Sequence, residues 1–214
     1  MKKIIKLIDI SKSFGDHNVL NNINLEVSEG SMVAIVGESG SGKSTLLNIM
    51  GTLEKPTSGK VVIMDQENVK PGSTKSMYLL RDTISYLFQN YALIDNETVE
   101  SNLKIAEKYS KESKISMNEA LNIVGLSGFE KKKIYTLSGG EQQRIALART
   151  LIKPGNIILA DEPTGNVDFD NKIMIMEIFK TMKNMGKTII VVTHDRDLLD
   201  YFDTVFDLSD VLIN

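Results

Sequence analysis

The segment GESGSGKST, at positions 37 to 45, limits the possible folds of this chain more than any other stretch of its sequence. It fits the pattern G-x-x-x-x-G-K-[ST], in which a glycine-rich loop closes around a polyphosphate. The residues before it, Met32–Val36, are all apolar and indicate a strand, whereas Ser44–Met50 indicates a helix. Strand, glycine loop and helix in this order are the setting that a phosphate-binding loop requires. The alternative is an ordinary Gly/Ser turn.

The residue types in this loop suit the phosphate chain of a nucleotide. Glycines leave room for backbone N–H groups to turn toward an anion, and the start of the following helix adds its positive end. Lys43 supplies a cation for the β and γ phosphates, and the hydroxyl of Ser44 is a ligand for Mg²⁺. The residues predicted to contact the nucleotide here are Gly37, Glu38, Ser39, Gly40, Ser41, Gly42, Lys43, Ser44 and Thr45.

A second motif, LSGGEQQR, occupies positions 137 to 144, roughly a hundred residues after the loop. Ser138, Gly139 and Gly140 can open a helix that runs to about Leu151. The two glycines let a phosphate approach the helix N-terminus, and Ser138 can either cap the helix or donate to an oxyanion. Taken alone, the segment is as compatible with a plain helix cap after the lysines at 131–133.

The composition excludes several classes of protein. A chain of 214 residues with 42% hydrophobic content can form one domain with its own core. Its net charge of −3, with Lys and Glu interspersed, offers no basic field, so we expect no nucleic-acid partner. The absence of cysteine excludes disulfides and thiolate metal sites. The N-terminal MKKIIKLIDI is too short and too charged for a signal peptide, and we expect any membrane role to come through a partner.

The pattern of apolar residues changes along the chain. Short Ile/Val-rich runs dominate residues 1 to about 91 and 152 to 214, whereas helical periodicity dominates about 92 to 151. The phosphate loop and the LSGGE motif each occur once, so there is no internal repeat. We therefore expect one domain over 1–214, with a strand-rich nucleotide-binding core interrupted by a helical subdomain.

The motifs and their order resemble those of the ATP-binding cassette (ABC) family. LSGGE between a phosphate loop and a strand that ends in Asp and Glu is similar to the signature of that family. The resemblance extends over about residues 3 to 208. It implies an α/β fold, namely the P-loop NTPase ABC ATPase fold, with a mixed central sheet, N-terminal antiparallel strands and an inserted helical subdomain. ATP and Mg²⁺ are the cofactors it implies.

The apolar run Ile157–Ala160 ends in two carboxylates and looks like the Walker B segment of the family. Asp161 is predicted to hold Mg²⁺ through water, because Mg²⁺ sheds its hydration shell reluctantly. Glu162 is predicted to polarise or orient the attacking water as a general base. The alternative interpretation is an acidic turn after a strand.

The resemblance assigns roles to two residues that follow other predicted strands. Gln89 follows the run Ile84–Phe88 and matches the Q-loop, whose amide reaches the Mg²⁺ shell. His194 follows Thr188–Thr193 and matches the switch histidine, which contacts the γ-phosphate. The predicted catalytic residues are then Lys43, Gln89, Glu162 and His194, and the predicted Mg²⁺ ligands are Ser44, Gln89 and Asp161.

Two further residues match nucleotide contacts of the family. Asp168 occupies the D-loop, which crosses the interface between two cassettes. Phe14 stands where the family places an aromatic ring that stacks on adenine, and stacking is the contact that Phe can offer. The alternative for Phe14 is a core aromatic beside Ile10 and Leu20.

The resemblance also implies partners. Two copies of the chain would pack head to tail, so that each ATP lies between the phosphate loop of one copy and the signature of the other. ATP would favour the closed dimer and hydrolysis would release it. The signature residues predicted to reach the nucleotide of the second copy are Ser138, Gly139, Gly140 and Glu141.

Among subgroups of the family, the chain resembles cassettes of the macrolide-exporter, lipoprotein-releasing and bacteriocin-export type, on ADEPTGNVD at 160–168 and LEKPTSG at 53–59. This predicts an ATPase that drives a separate integral membrane permease and exports a peptide, antimicrobial or lipophilic substrate. It places the chain in the cytoplasm, on the inner face of the cell membrane. The alternatives are an ABC ATPase that drives cell division or wall remodelling, and a soluble ABC ATPase.

Overall fold

The computed structural model describes residues 2–108, 115–165 and 167–210. Its strands are β1 Lys3–Phe14, β2 His17–Ser28, β3 Met32–Val36, β4 Ser58–Ile63, β5 Gln66–Glu67, β6 Ile84–Leu87, β7 Ile157–Asp161, β8 Thr188–Val192 and β9 Thr204–Asp207. Its α-helices are α1 Lys43–Met50, α2 Thr74–Asp82, α3 Val99–Glu107, α4 Met117–Ile123, α5 Gly139–Ile152 and α6 Phe169–Asn184. Short 3-10 helices cover Ile134–Thr136, Arg196–Tyr201 and Leu208–Asp210.

Five strands form a parallel sheet in the order β6-β7-β8-β3-β9. Strands β3, β7 and β8 are nearly continuous runs of buried apolar residues, as a parallel sheet covered on both faces requires. Ala160 of β7 pairs with Leu87 of β6 on one side and Val191 of β8 on the other. The carboxyl ends of these strands are therefore level, and the segments that follow them meet at one edge of the sheet.

The remaining strands form an antiparallel sheet in the order β2-β1-β4-β5. A two-residue turn at Gly15 and Asp16 joins β1 to β2, and Ile23, Leu25 and Val27 of β2 are buried alternately with exposed neighbours. The predicted α/β class and the N-terminal antiparallel strands are confirmed. In detail the antiparallel strands pair only with one another in the described residues, so they form a sheet beside the parallel one instead of a single mixed sheet.

Alternate side chains of the parallel strands enter two apolar cores. Ile157 and Leu159 pack with the antiparallel sheet and α1, whereas Ile158 and Ala160 pack with α5 and α6. Successive side chains of a strand point to opposite faces, so both faces of the sheet are covered. Phe179 of α6, the largest side chain that is fully buried, fills the second core.

Between β6 and β7 the chain forms α3, α4 and α5, and both α3 and α4 pack on α5. Each begins at a side chain that caps its free N–H groups: Thr98 for α3, Ser116 for α4 and Ser138 for α5. The predicted signature helix is confirmed, and it ends at Ile152, one residue past the predicted Leu151.

The division of residues 1–214 into a core of about 1–91 and 152–214 and a helical subdomain of about 92–151 stays a prediction. Part of the predicted helical region, 109–114, lies outside the described residues. Within the described parts of the chain, none of the helices is both long enough and apolar enough to cross a bilayer.

Candidate nucleotide site

The predicted catalytic residues and Mg²⁺ ligands lie at the carboxyl ends of four strands of the parallel sheet. The phosphate loop follows β3, Gln89 follows β6, Asp161 and Glu162 close β7, and His194 follows β8. A cavity of about 450 Å³ opens at this edge of the sheet. Its lining consists of Val19, Ser39, Gly40, Gly42, Lys43, Ser44, Thr45, Gln89, Glu162, Gly165 and His194.

The phosphate loop depends on glycine at its last turn before α1. Gly42 has a φ of 90°, and a Cβ atom there would lie 2.8 Å from Leu20 Cδ2 and 2.9 Å from Val19 Cγ1. Gly42 is also the N-cap of α1, and it brings no side chain that could compete for the first N–H groups of the helix. These groups remain available to an anion at the positive end of α1.

The ammonium of Lys43 is held by its own loop. Its Nζ donates hydrogen bonds of 2.9 Å to the carbonyl oxygens of Gly37 and of Glu38, and the residue is only 7% exposed. Both partners are neutral carbonyl groups. The cation beside the cavity therefore keeps its capacity to bind an anion.

A hydroxyl and a carboxylate meet where the loop faces β7. The Ser44 hydroxyl donates a hydrogen bond of 2.8 Å to Asp161 Oδ1. Burial raises the pKa of the Asp161 carboxyl and the charge of Glu162 adds to this, while the Ser44 hydrogen bond and the charge of Lys43 lower it. Hard oxygen ligands side by side are what Mg²⁺ prefers, so these residues fit that ion.

Glu162 lies in a backbone conformation that favours glycine. Its φ is 46°, and its N–H donates a 3.0 Å hydrogen bond to the carbonyl of Val192. His194 Nδ1 lies 2.9 Å from Glu162 Oε2 without hydrogen-bond geometry, so this buried oxygen has no hydrogen-bond partner among the described residues. A buried acceptor without a partner, next to a polar cavity, is suited to a water molecule.

The signature residues lie away from this cavity, and Ser138, Gly139, Gly140 and Glu141 are all outside its lining. Ser138 Oγ accepts a 3.3 Å hydrogen bond from the N–H of Glu141, and Glu141 Oε2 accepts one of 2.7 Å from the N–H of Ser138. This is a capping box at the start of α5. Of the two roles predicted for Ser138, the structure shows the cap, whereas the oxyanion contact stays a prediction.

Asp168 and Phe14 also lie outside the lining of the cavity. Asp168 caps α6, where its Oδ1 accepts a 2.9 Å hydrogen bond from the N–H of Asn171. Phe14 ends β1 with half of its surface exposed, and Lys12 Nζ lies 4.4 Å from the centroid of its ring. The core alternative for Phe14 is therefore wrong, and its contact with adenine stays a prediction.

Asn171 is a residue that the sequence did not reveal. Its Nδ2 donates a 2.7 Å hydrogen bond to Asp168 Oδ2, and its Oδ1 accepts one from Arg144 Nη1. A Cβ atom at Gly140 would lie 2.8 Å from Asn171 Cγ. One side chain thus connects the signature helix to the loop of Asp168. The sequence signal is only a polar residue three positions after a helix cap, which is common.

Comparison with known proteins identifies the family. Residues 20–165 match the family described as ABC transporter, which is more than half of the chain. The chain therefore belongs to the ABC transporter family.

The similar proteins differ in how much of their own length this chain covers. An "Uncharacterized ABC transporter ATP-binding protein" of Thermotoga maritima is 41% identical over 94% of this chain and 89% of its own length. "Macrolide export ATP-binding/permease protein MacB" of Campylobacter fetus is 40% identical over 97% of this chain. This chain spans about a third, 34%, of that MacB protein.

Solved structures agree with the fold. The "Dimeric Structure of MJ0796, a Bacterial ABC Transporter Cassette" matches with a TM-score of 0.85 and 35% identity over 96% of this chain and 95% of that one. The same cassette in "a post-hydrolysis state", bound to ADP and Pi, matches equally well over 95% and 94%. The predicted ABC ATPase fold and the prediction of an ATP hydrolase coupled to transport are confirmed. The roles of individual residues stay predictions.

Proposed function

We propose that this chain binds ATP in the cavity at the end of the parallel sheet and hydrolyses it to drive a separate membrane permease. The observation that carries the proposal is the convergence of three features on one cavity. These are the Lys43 ammonium with neutral partners, the Ser44 hydroxyl with Asp161 behind it, and the buried carboxylate oxygen of Glu162, which lies 2.9 Å from His194 Nδ1.

Each group has a role in phosphoryl transfer to water. Lys43 and the N–H groups of the loop hold the phosphates, and His194 contacts the terminal one. Glu162 accepts a hydrogen bond from the attacking water and orients it. Ser44, Asp161 and Gln89 hold Mg²⁺, which when bound supplies charge neutralisation on the phosphate oxygens.

We place the working site between two copies of the chain. Ser138 and Gly139 are exposed, and they lie outside the cavity of their own chain. An exposed helix start with small residues suits a phosphate presented by another molecule. The dimeric state of the solved cassette supports a pair of cassettes, and the exposed signature favours a head-to-tail arrangement of the two copies.

A second cavity, of about 660 Å³, offers a surface for the permease. Its lining is mostly apolar and includes the exposed side chains of Met77, Tyr78, Phe88 and Ile105. Phe88 precedes Gln89, so a segment that fills this groove contacts the loop that enters the nucleotide site. We propose that a helix from the cytoplasmic side of the permease occupies the groove. The name of the MacB relatives, "Macrolide export ATP-binding/permease protein", supports such a partner and favours export of an antimicrobial substrate. A peptide or a lipophilic substrate remains part of the proposal on the subgroup resemblance of the sequence.

Copurification from the membranes of the host organism tests this function. We expect the tagged chain, solubilised in mild detergent, to bring down one integral membrane permease. Tyr78→Lys should lose the permease, because it places a charge in the groove. Val205→Lys changes an exposed apolar residue on β9, at the opposite edge of the sheet from β6, and should retain it. Recovery of the wild-type chain from the soluble fraction alone, without a membrane protein, would contradict the transport function.

A further inference from the structure

We propose that Arg149 is a positioning residue that fixes the loop after Gln89 to the C-terminal end of the signature helix α5. Through this link, a movement of α5 changes the position of the Gln89 side chain in the nucleotide site. The structural half of this inference is the link between Arg149 and the loop, and it is argued from the contacts below. The functional half is the effect on Gln89, and it rests on the proposed role of Gln89.

The guanidinium of Arg149 holds two consecutive backbone carbonyls. Nη1 donates a 2.6 Å hydrogen bond to the carbonyl oxygen of Ala92, and Nη2 donates one of 2.7 Å to that of Tyr91. Arg149 lies in the last turn of α5, whose N-terminus carries the signature glycines. A planar fork with two donors fixes direction as well as distance, which a lysine ammonium does not do.

The two carbonyls belong to a strained piece of backbone. Tyr91 has a φ of 63° and Ala92 a φ of 48°, and both are in the left-handed region that favours glycine. Non-glycine residues persist there only when their surroundings hold them. The Arg149 fork supplies this hold.

The chain is anchored on both sides of Gln89. On the core side, the ring of Phe88 stacks on that of Tyr86 with centroids 4.2 Å apart, and Tyr86 Oη donates a 2.7 Å hydrogen bond to Asn48 Oδ1 in α1. On the other side stands Arg149. Only Gln89 and Asn90 lie between the two anchors, and the N–H of Tyr91 closes this turn with a 2.9 Å hydrogen bond to the carbonyl of Phe88. A displacement of α5 relative to α1 therefore acts on the turn that carries Gln89.

A second contact ties the same loop to the helical side. The buried Asn102 of α3 accepts a 2.8 Å hydrogen bond at Oδ1 from the N–H of Ile94 and donates one of 3.2 Å to its carbonyl. The loop from Tyr91 to Ile94 therefore moves with α3 and α5. Arg149 also lines the apolar groove, so a permease segment seated there lies against the fork itself.

Hydrogen–deuterium exchange of the isolated full chain, without nucleotide, tests the structural half. The N–H groups of Tyr91 and Ala92 are hydrogen-bonded within the turn, to the carbonyls of Phe88 and Asn90. We expect Arg149→Ala to raise exchange in the peptide that covers 88–94 by about tenfold or more, because two charge-assisted hydrogen bonds are lost. Arg149→Lys keeps the charge but not the fork and should give an intermediate increase. If Arg149→Lys exchanged at the same rate as wild type, the proposal would be overturned. This comparison remains decisive even if Arg149→Ala does not fold.

Arg81→Ala is the matched control. Arg81 lines the same groove, but its guanidinium pairs with the carboxylate of Asp82, its neighbour in sequence, through two contacts of 2.6 Å. Its loss should leave exchange in 88–94 unchanged. An equal increase in Arg81→Ala and Arg149→Ala would overturn the proposal, because it would show a general loosening of the groove.

A second substitution, to glycine, tests whether Arg149 holds the strained loop or only helps α5 to pack. Ala92→Gly in the Arg149→Ala background should restore part of the lost protection, since glycine adopts a positive φ without strain. A further rise in exchange would overturn the role of Arg149 in holding the strained loop.

An ATPase assay tests the functional half. Arg149→Ala should raise the Mg²⁺ concentration for half-maximal ATP hydrolysis several-fold. If the wild-type chain with its permease hydrolysed no ATP, the proposed function would fail while the exchange result still stood.

Discussion

The hydroxyl of Ser44 and the carboxylate of Asp161 are joined by a hydrogen bond of 2.8 Å across 117 positions of sequence. Ser44 lies in the first turn of α1, after β3, and Asp161 is the last residue of β7. Strand β8 lies between β3 and β7, so the bond joins segments that follow strands two positions apart in the sheet, at its carboxyl edge. The pair thereby ties the phosphate loop to the acidic end of β7, beside Glu162 and the imidazole of His194.

Removal of the Lys43 ammonium should weaken nucleotide binding. We expect Lys43→Ala to raise the Kd for ATP by about tenfold to a hundredfold, because a charge-assisted contact to phosphate is lost. Fluorescent nucleotide titration measures this. The exposed Lys75→Ala serves as the control and should bind ATP like wild type. Unchanged affinity in Lys43→Ala would show that the loop is not the site.

Removal of the negative charge at Glu162 should separate binding from hydrolysis. We expect Glu162→Gln to keep ATP affinity but to lower kcat by about 10² to 10⁴, the range for general-base catalysis. Because hydrolysis no longer opens the dimer, size-exclusion chromatography with ATP should show a dimer. Glu26→Gln, an exposed residue of β2, should behave like wild type. Normal turnover in Glu162→Gln would contradict the assignment of Glu162 as the general base.

Asn171 should matter for assembly of the composite site. Asn171→Leu keeps a similar size but loses the hydrogen bonds to Asp168 and Arg144. We expect it to bind ATP normally as a monomer and, in the Glu162→Gln background, to weaken the ATP-dependent dimer about tenfold. Analytical ultracentrifugation measures the dimer. Asp170→Asn, on an exposed side chain of the same helical turn, should leave dimerisation unchanged, and equal effects of both variants would count against this role.

The ring of Phe14 should contribute to nucleotide affinity by stacking. We expect Phe14→Ala to raise the Kd for ATP about three- to tenfold, since an aromatic stack contributes about 0.5–1.5 kcal/mol. Phe14→Tyr retains a ring and should bind like wild type. Isothermal titration of both variants decides this. An Ala variant with wild-type affinity would remove Phe14 from the site.

The stability of the protein should depend on pH through Lys187. Burial lowers the pKa of its ammonium to about 8 from the usual 10.5, and its Nζ donates a 2.7 Å hydrogen bond to the carbonyl of Gly155. Between about pH 8 and 10.5 the unfolded chain binds this proton more tightly than the folded chain does. The contribution of Lys187 to the free energy of unfolding therefore rises with pH in that window.

Lys187→Met removes this dependence. In urea unfolding we expect wild type to gain about 1–2 kcal/mol over Lys187→Met between about pH 7.5 and pH 10. The exposed Lys75→Met should show the same difference from wild type at both values. If the difference in the free energy of unfolding between wild type and Lys187→Met stayed constant with pH, this would contradict the lowered pKa.

The elements that the sequence predicted best are those whose signals are local. The apolar run Met32–Val36 is β3 and α5 begins after the Ser138 cap, as predicted, and α1 begins at Lys43, one residue before the predicted helix Ser44–Met50. The strand ends were less accurate. The predicted run Ile84–Phe88 ends as a strand at Leu87, since the chain turns away from β7 there to form the loop of Gln89.

The local chemistry of this protein follows from its sequence alone, because neighbouring residues set the glycine loop, the helix caps and the apolar runs. Their order was also sufficient to indicate the ABC family. Tertiary structure decided the separation of the two sheets, the bond between Ser44 and Asp161, the approach of His194 to Glu162 and the fork of Arg149 on the Gln89 loop. These contacts join residues far apart in the chain, and only the register of the parallel strands and the packing of α5 on β6 bring such residues within hydrogen-bond distance.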